Sequence, residues 1–261
     1  MTRTLTAVTV AVCFLQCESG AFAQASAFEV ASITPCQPDT PAPPMEHAGI
    51  ADFITPGGRF TARATSLKFL MEWAYGIQPA QHSGGPSWID VDRFDIVAKA
   101  EGSASDDAMK AMARTLLADR FQLKFHHEPK EVSAYVISTG KTPPRLFPPK
   151  QDEIHSIHPV QQMSPDQKTP TFRIVATRYT LAQLADTFAR QLGSVIVNKT
   201  GLDGEFDFTL DLTPDDSRPN PMDPTLLIAA MREQLGLTVR YEKTTVDFFV
   251  IDSASKVAAG N

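Results

Sequence analysis

Two hydrophobic rhythms, period two and period 3.6, take turns along this chain. Phe28-Glu-Val-Ala-Ser-Ile33 alternates and predicts a short strand. Pro35 to Pro56 holds six prolines among mixed polar residues and predicts a loop. Arg59 to Ala64 alternates again. Leu67, Leu70, Met71 and Ala74 then recur at i, i+3, i+4 and i+7, a helical stripe that Thr65 or Ser66 can cap. Gly84-Gly85-Pro86 breaks the chain, and Arg93 to Lys99 alternates as a half-buried strand. Ser105, Asp106 and Asp107 open a second helix with Met109, Met112, Ala113, Leu116 and Leu117 on one face. Phe121, Leu123 and Phe125 alternate with polar neighbours, and Ala134 to Ser138 reads as a closing strand.

The same order then returns. Phe172 to Ala176 is a strand, and Thr180 caps a helix bearing Leu181, Leu184, Ala185, Phe188 and Leu192. Val195 to Val197 precedes the turn Lys199-Thr-Gly-Leu-Asp-Gly204, and Phe206 to Leu212 alternates. A helix carries Leu226, Leu227, Ala230 and Met231, and Leu237 to Tyr241 and Val246 to Ile251 read as two last strands. Leu67 falls on Leu181, Leu70 on Leu184, Met112 on Leu226, Leu123 on Leu237 and Val136 on Val250, each pair 114 positions apart. Phe94 and Phe206 are 112 apart, as if one loop had lost two residues. Such phasing predicts one supersecondary unit used twice.

The predicted fold class is α+β: two repeated two-layer units, β-α-β-(β)-α-β-β, each with two helices on a small mixed or antiparallel sheet. Repeat unit 1 spans 58–140 and repeat unit 2 spans 171–253, joined by a linker at 141–170 with seven prolines. Residues 24–57 are an N-terminal strand, which completes one sheet, and a Pro-rich loop; 254–261 form a flexible tail. Leu70, Leu116, Leu123, Leu184, Met231 and Leu237 are predicted to be buried. The closing strands, Ala134 to Ser138 and Val246 to Ile251, are predicted to be open edges.

The phrases Ser83-Gly-Gly-Pro-Ser-Trp-Ile-Asp90, Arg93-Phe-Asp-Ile-Val-Ala-Lys-Ala100 and Leu116-Leu-Ala-Asp-Arg-Phe-Gln-Leu-Lys124 resemble an uncharacterised, soil-associated family of secreted bacterial proteins. Asn198-Lys-Thr-Gly-Leu-Asp-Gly204 and Glu233-Gln-Leu-Gly-Leu237 extend the resemblance into the second half. A similar domain occurs behind zinc-peptidase membrane sensors of the beta-lactam-sensor type, which implies an extracytoplasmic sensing or interaction role. Thr180-Leu-Ala-Gln-Leu184 and Gln234-Leu-Gly-Leu237 resemble, more distantly, the short N-terminal domain of secretins and TonB-dependent receptors. That resemblance implies protein contacts and no chemistry.

Composition narrows the setting. Arg3, the apolar run Leu5 to Leu15 and the A-x-A site Ala21-Phe22-Ala23 make residues 1–23 a signal peptide, so an exported chain, periplasmic or extracellular, is expected. Cleavage takes Cys13 and Cys17, leaving Cys36 without an intrachain partner. A formal charge of −6 gives no footprint for nucleic acid. After cleavage no stretch is apolar enough to span a membrane.

Few motifs point to chemistry. Lys199-Thr-Gly201 and Ser253-Ala-Ser-Lys256 imitate boxes of penicillin-binding enzymes, but in the wrong order and without a middle box. His126-His127 on a strand point to opposite faces, and His155 and His158 lie in the linker, so no metal is expected. Asp90, Asp92 and Asp95, like Asp203, Glu205 and Asp207, fit no calcium loop, and no cofactor is expected. Trp88, in a glycine-proline loop, is a candidate binding anchor or a cover for the sheet end. One ring of Phe248-Phe249 should face the core and the other a partner, with Phe249 the candidate. The expected function is a non-catalytic module that binds an unknown protein or peptide by edge-strand addition. The alternatives are a soluble sensing domain for a cell-wall-derived molecule and a small secreted hydrolase.

Overall fold

A computed structural model describes residues 27–37, 54–55, 57–150, 154–163, 170–215 and 217–256; the signal peptide reading lies outside them. The chain is α+β, with helices laid on small sheets. The first sheet has the order β1 (Val30–Pro35), β5 (Arg93–Lys99), β3 (Arg59–Ser66), β2 (Ile54–Thr55). Helices α1 (Leu67–Tyr75) and α3 (Asp106–Phe121) pack on it, and the short α2 (Trp88–Val91) lies at its end. The second sheet has the order β10 (Phe206–Leu212), β8 (Pro170–Tyr179), β7 (Ser156–Met163), with α4 (Leu181–Leu192) and α5 (Pro224–Leu235) beside it.

Local chemistry sets the helix ends. Ser66, Ser105 and Thr180 each accept a backbone N–H from the first turn of α1, α3 and α4, and Gln183 returns the bond to Thr180 in a capping box. In β5 the alternation resolves as expected: Phe94, Ile96 and Ala98 are buried under the helices, while Asp95, Val97 and Lys99 face out. Leu70, Leu116, Leu123, Leu184, Met231 and Leu237 are all buried.

A third sheet joins the halves and corrects the expected closing strands. β6 (Lys124–Thr139) and β11 (Leu237–Ser253) are single uninterrupted strands that pair antiparallel along their length. The order is β4 (His82–Gly84), β11, β6, β9 (Ile196–Asn198). Ala134 to Ser138 therefore lies between β11 and β9, and the end of Val246 to Ile251 lies between β6 and β4. Neither is an edge. Glu128–Ser133 and Glu242–Thr245 offer no glycine or asparagine for a tight turn, so both strands run on. Gly84 permits the β4 contact: its φ is 80°, and a Cβ there would lie 2.6 Å from the Ile251 carbonyl oxygen.

The proline-rich connection also departs from expectation, because it contains β7. That strand is recruited by register with β8, Ser156 opposite Thr177 through Met163 opposite Pro170, and not by its own alternation.

Candidate functional site

Trp88 and Phe249 are both drawn into the structure. Phe249 is 1% exposed, stacked on Phe125 at 3.8 Å with Tyr75 at 4.9 Å, so it belongs to the core. Phe248 is buried as well, against Ala134, Val195 and Val246. The outward ring expected of this pair is absent because both faces of β11 are covered here. Trp88 begins α2, half-buried, with its ring edge-on to Phe94 and Lys256 Nζ 5.8 Å from its centroid.

Hydrogen-bonding capacity must then be sought at the sheet edges. At β9, the Gln78 carboxamide takes both backbone groups of Ile196: its Nε2 donates to the carbonyl at 2.8 Å and its Oε1 accepts the N–H at 2.7 Å. At β10, Phe147 exchanges both backbone bonds with Asp207, at 3.1 and 2.8 Å. The Gln234 carboxamide does the same for Asp211, both at 2.8 Å. On β7 the phase set across β8 puts Pro159 in the outward row, where it deletes a donor. These devices blunt the edges against pairing.

The edge of β1 carries no such device among the described residues. Cys36 N–H donates to the Arg93 carbonyl at 2.8 Å, which turns the even-numbered residues of β1 toward β5. The backbone groups of Ala31 and Ile33 therefore point away from the sheet. Between the start of β1 and α3 lies a groove of about 330 Å³ with a mixed lining, Ala31, Met112 and Leu116 beside Glu29, Asp119 and Arg120. Phe28 is held there by stacking on Phe60, ring centroids 5.7 Å apart. An edge strand beside a helix is a geometry that receives an extended peptide.

A second polar cluster lies between the halves. Glu72 of α1, 3% exposed, meets Arg190 Nη1 of α4 at 2.9 Å and His82 Nε2 of β4 at 3.2 Å. Arg190 also lies over the Phe69 ring. Asp186 of α4 accepts from Gln78 Nε2 at 3.0 Å. Burial pushes the Asp186 carboxyl above the usual range, against the opposing pull of Gln78, Arg190 and Lys110. Gln78 and Gln81 also border a shallow hollow of about 280 Å³ with Ile196 and Asp247.

Among the described residues no hydroxyl or thiol is hydrogen-bonded to His82, so the carboxylate–imidazole pair has no nucleophile to activate. The Ser83 hydroxyl accepts from Lys130 Nζ at 3.1 Å, while that ammonium also meets Glu128 at 3.1 Å and the Phe248 ring. Burial, then the Asp95 carboxylate, pushes the Cys36 thiol up, the opposite of activation. His126 and His127 each bond a carboxylate of β11, Asp252 and Asp247, rather than one another. No group of three metal-ligating side chains converges among the described residues. In the Lys199-Thr-Gly turn, Asn198 Oδ1 accepts from the Thr200 N–H and hydroxyl.

Sequence reasoning missed Gln78 and Gln234, single glutamines with no local pattern around them. The outward amides of β1 could have been found only by knowing the register.

A family model described as a protein of unknown function, DUF3738, matches residues 68–254. No curated protein and no solved structure matches the chain.

Proposed function

Since the chain belongs to the DUF3738 family of proteins of unknown function, we propose that it is an exported, non-catalytic module that binds an extended protein or peptide segment by strand addition to β1. The observation that carries this reading is the edge of β1, uncapped among the described residues at Ala31 and Ile33, with Ala31 beside a groove of mixed lining next to α3. An incoming strand gains backbone hydrogen bonds from that edge and places alternate side chains against Met112 and Leu116. The rim, with Asp119 and Arg120, leaves both signs of charge available for selecting the segment.

The test is selection of binders from a random peptide display library on the folded chain. Selected peptides should lose binding to Ala31→Pro, which removes an outward N–H, and to Met112→Glu, which charges the groove. They should also slow amide exchange at Ala31 and Ile33. Binders indifferent to both substitutions, with protection elsewhere, would refute the reading. Turnover of a peptide or cell-wall substrate by the purified chain would replace it with a hydrolase.

A further inference from the structure

One constant runs through the registers on the two sides of the β6–β11 ribbon. Phe249 opposite His82 has a counterpart in Tyr135 opposite Ile196, and Val250–Ser83 has one in Val136–Val197. Ile251–Gly84 likewise has Ile137–Asn198, every residue displaced by 114 from its counterpart. Glu131 faces Thr245, its own counterpart at that displacement, so a local two-fold axis passes through this pair. The same shift carries Glu72 onto Asp186, and each of these acids is met by a residue of the other half, Arg190 and Gln78.

Under this relation β5 corresponds to β10, yet their outer sides differ. Against β5 lies a whole strand, β1, with Ile33 buried at 3% exposure. Beside β10, among the described residues, the same place holds no strand: the Phe147 backbone bonds Asp207, the Lys150 N–H donates to the Asp207 carboxylate, and the Gln234 carboxamide bonds Asp211, with Thr209 between them. The backbone bonds at Asp207 and Asp211 are those an antiparallel strand would make, supplied by one residue and one side chain. Leu226, the counterpart of Met112, lies beneath.

We infer that the outer edge of β10 is a second strand-acceptor surface, closed by Phe147 and Gln234, whose occupant is an extended segment with the alternation of β1 and an apolar residue where Ile33 stands. The inference rests on the reading that this chain works by strand addition, but it concerns a different edge. An entering strand exchanges amide for amide at Asp211, so the displaced hydrogen bonds are replaced in kind. Gln234, on the last turn of α5, can leave by rotating its side chain while the helix stays in place.

The test uses the full chain and a synthetic peptide with the sequence Phe28–Pro35. In the variant Phe147→Pro, Gln234→Ala the Asp211 amide should exchange faster than in the unmodified chain. Millimolar peptide should then slow Thr209 and Asp211 several-fold. A peptide with Asp in place of Ile33 should not. If the double variant loses its native circular dichroism, Gln234→Ala alone serves, read at Asp211. Unchanged Thr209 and Asp211 rates with peptide, in a folded variant, would overturn the inference. Protection of Ala31 and Ile33 by library-selected peptides is a separate readout, so failure at β10 is distinguishable from failure of the proposed function.

Discussion

The two helix-backed sheets manage their outer edges in opposite ways. On the first, β5 is completed by β1, and β1 in turn points the backbone groups of Ala31 and Ile33 outward, with Ala31 beside a groove. On the second, β10 is closed by a backbone clip at Asp207 and a glutamine clip at Asp211. The difference teaches that an edge can be silenced without adding a strand, because a single carboxamide presents the same donor and acceptor pair as a peptide unit. Such silencing protects an edge from aggregation. Among the described residues the edge of β1 has no such clip, and that contrast is what the proposed function rests on.

The comparison presupposes that both halves are held in place, so its largest test is the ribbon. Phe249→Ala should cost about 3–5 kcal/mol, because it empties the stack with Phe125 and Tyr75. Urea denaturation should show one transition shifted down; two separate transitions would mean that the halves stand alone.

Next is the junction. Arg190→Ala leaves the buried Glu72 with only His82, and breaking such a pair costs about 3–5 kcal/mol when both partners are buried. Arg190 is about one-third exposed, so a loss of about 2 kcal/mol, below that range, is expected, read as a lower denaturation midpoint. No change in midpoint would remove the ion pair from the account of how the halves are joined.

Asp186 sharpens the same junction through pH. Its folded pKa is raised by burial, so the stability it contributes is fully present below the unfolded aspartate value and is lost as pH rises through the folded value. Asp186→Asn keeps an acceptor for Gln78 and should be the more stable form at neutral pH. That advantage should shrink as pH falls below the folded pKa. Thermal melts across pH check it, and a variant less stable at neutral pH would show that the charge is needed.

The smallest effects separate the two edges directly. Gln234→Ala should cost about 1 kcal/mol and accelerate exchange at Asp211. Ala31→Pro should change stability by no more than about 0.5 kcal/mol, since its N–H bonds nothing in the sheet. Equal and large losses from both would erase the contrast between a closed edge and an open one.

What was legible in the sequence was whatever depends on neighbours a turn apart. The stripes Leu67–Ala74 and Leu181–Leu192 became helices with the expected caps, and the six core residues are buried. Pairing across the chain was not legible. Leu237–Tyr241 and Val246–Ile251 read as two strands, because polar Glu242 to Thr245 interrupts the apolar run; the structure carries the strand through since β6 pairs with it there. Phe249 was offered to a partner because periodicity reports faces and not what covers them. The β1 groove needed both the register of β1 on β5 and the position of α3, neither of which is written in either segment alone.

The central place of β11 also bears on how the chain comes to be folded. Leu237–Ser253 follows every other described element in sequence, yet it lies between β4 and β6 and carries most of the contact between halves. A chain emerging from a ribosome with its N-terminus first can wind α1 and α3 early, but β4 and the first part of β6 then have no neighbour to pair with. Long-range pairing of this kind is slow, and unpaired strands are prone to aggregate. Completion is thus postponed until the last strand arrives. A chain stopped before Leu237 is expected to be captured by chaperones or proteases, with Phe125 and Tyr75 stripped of the ring that covers them.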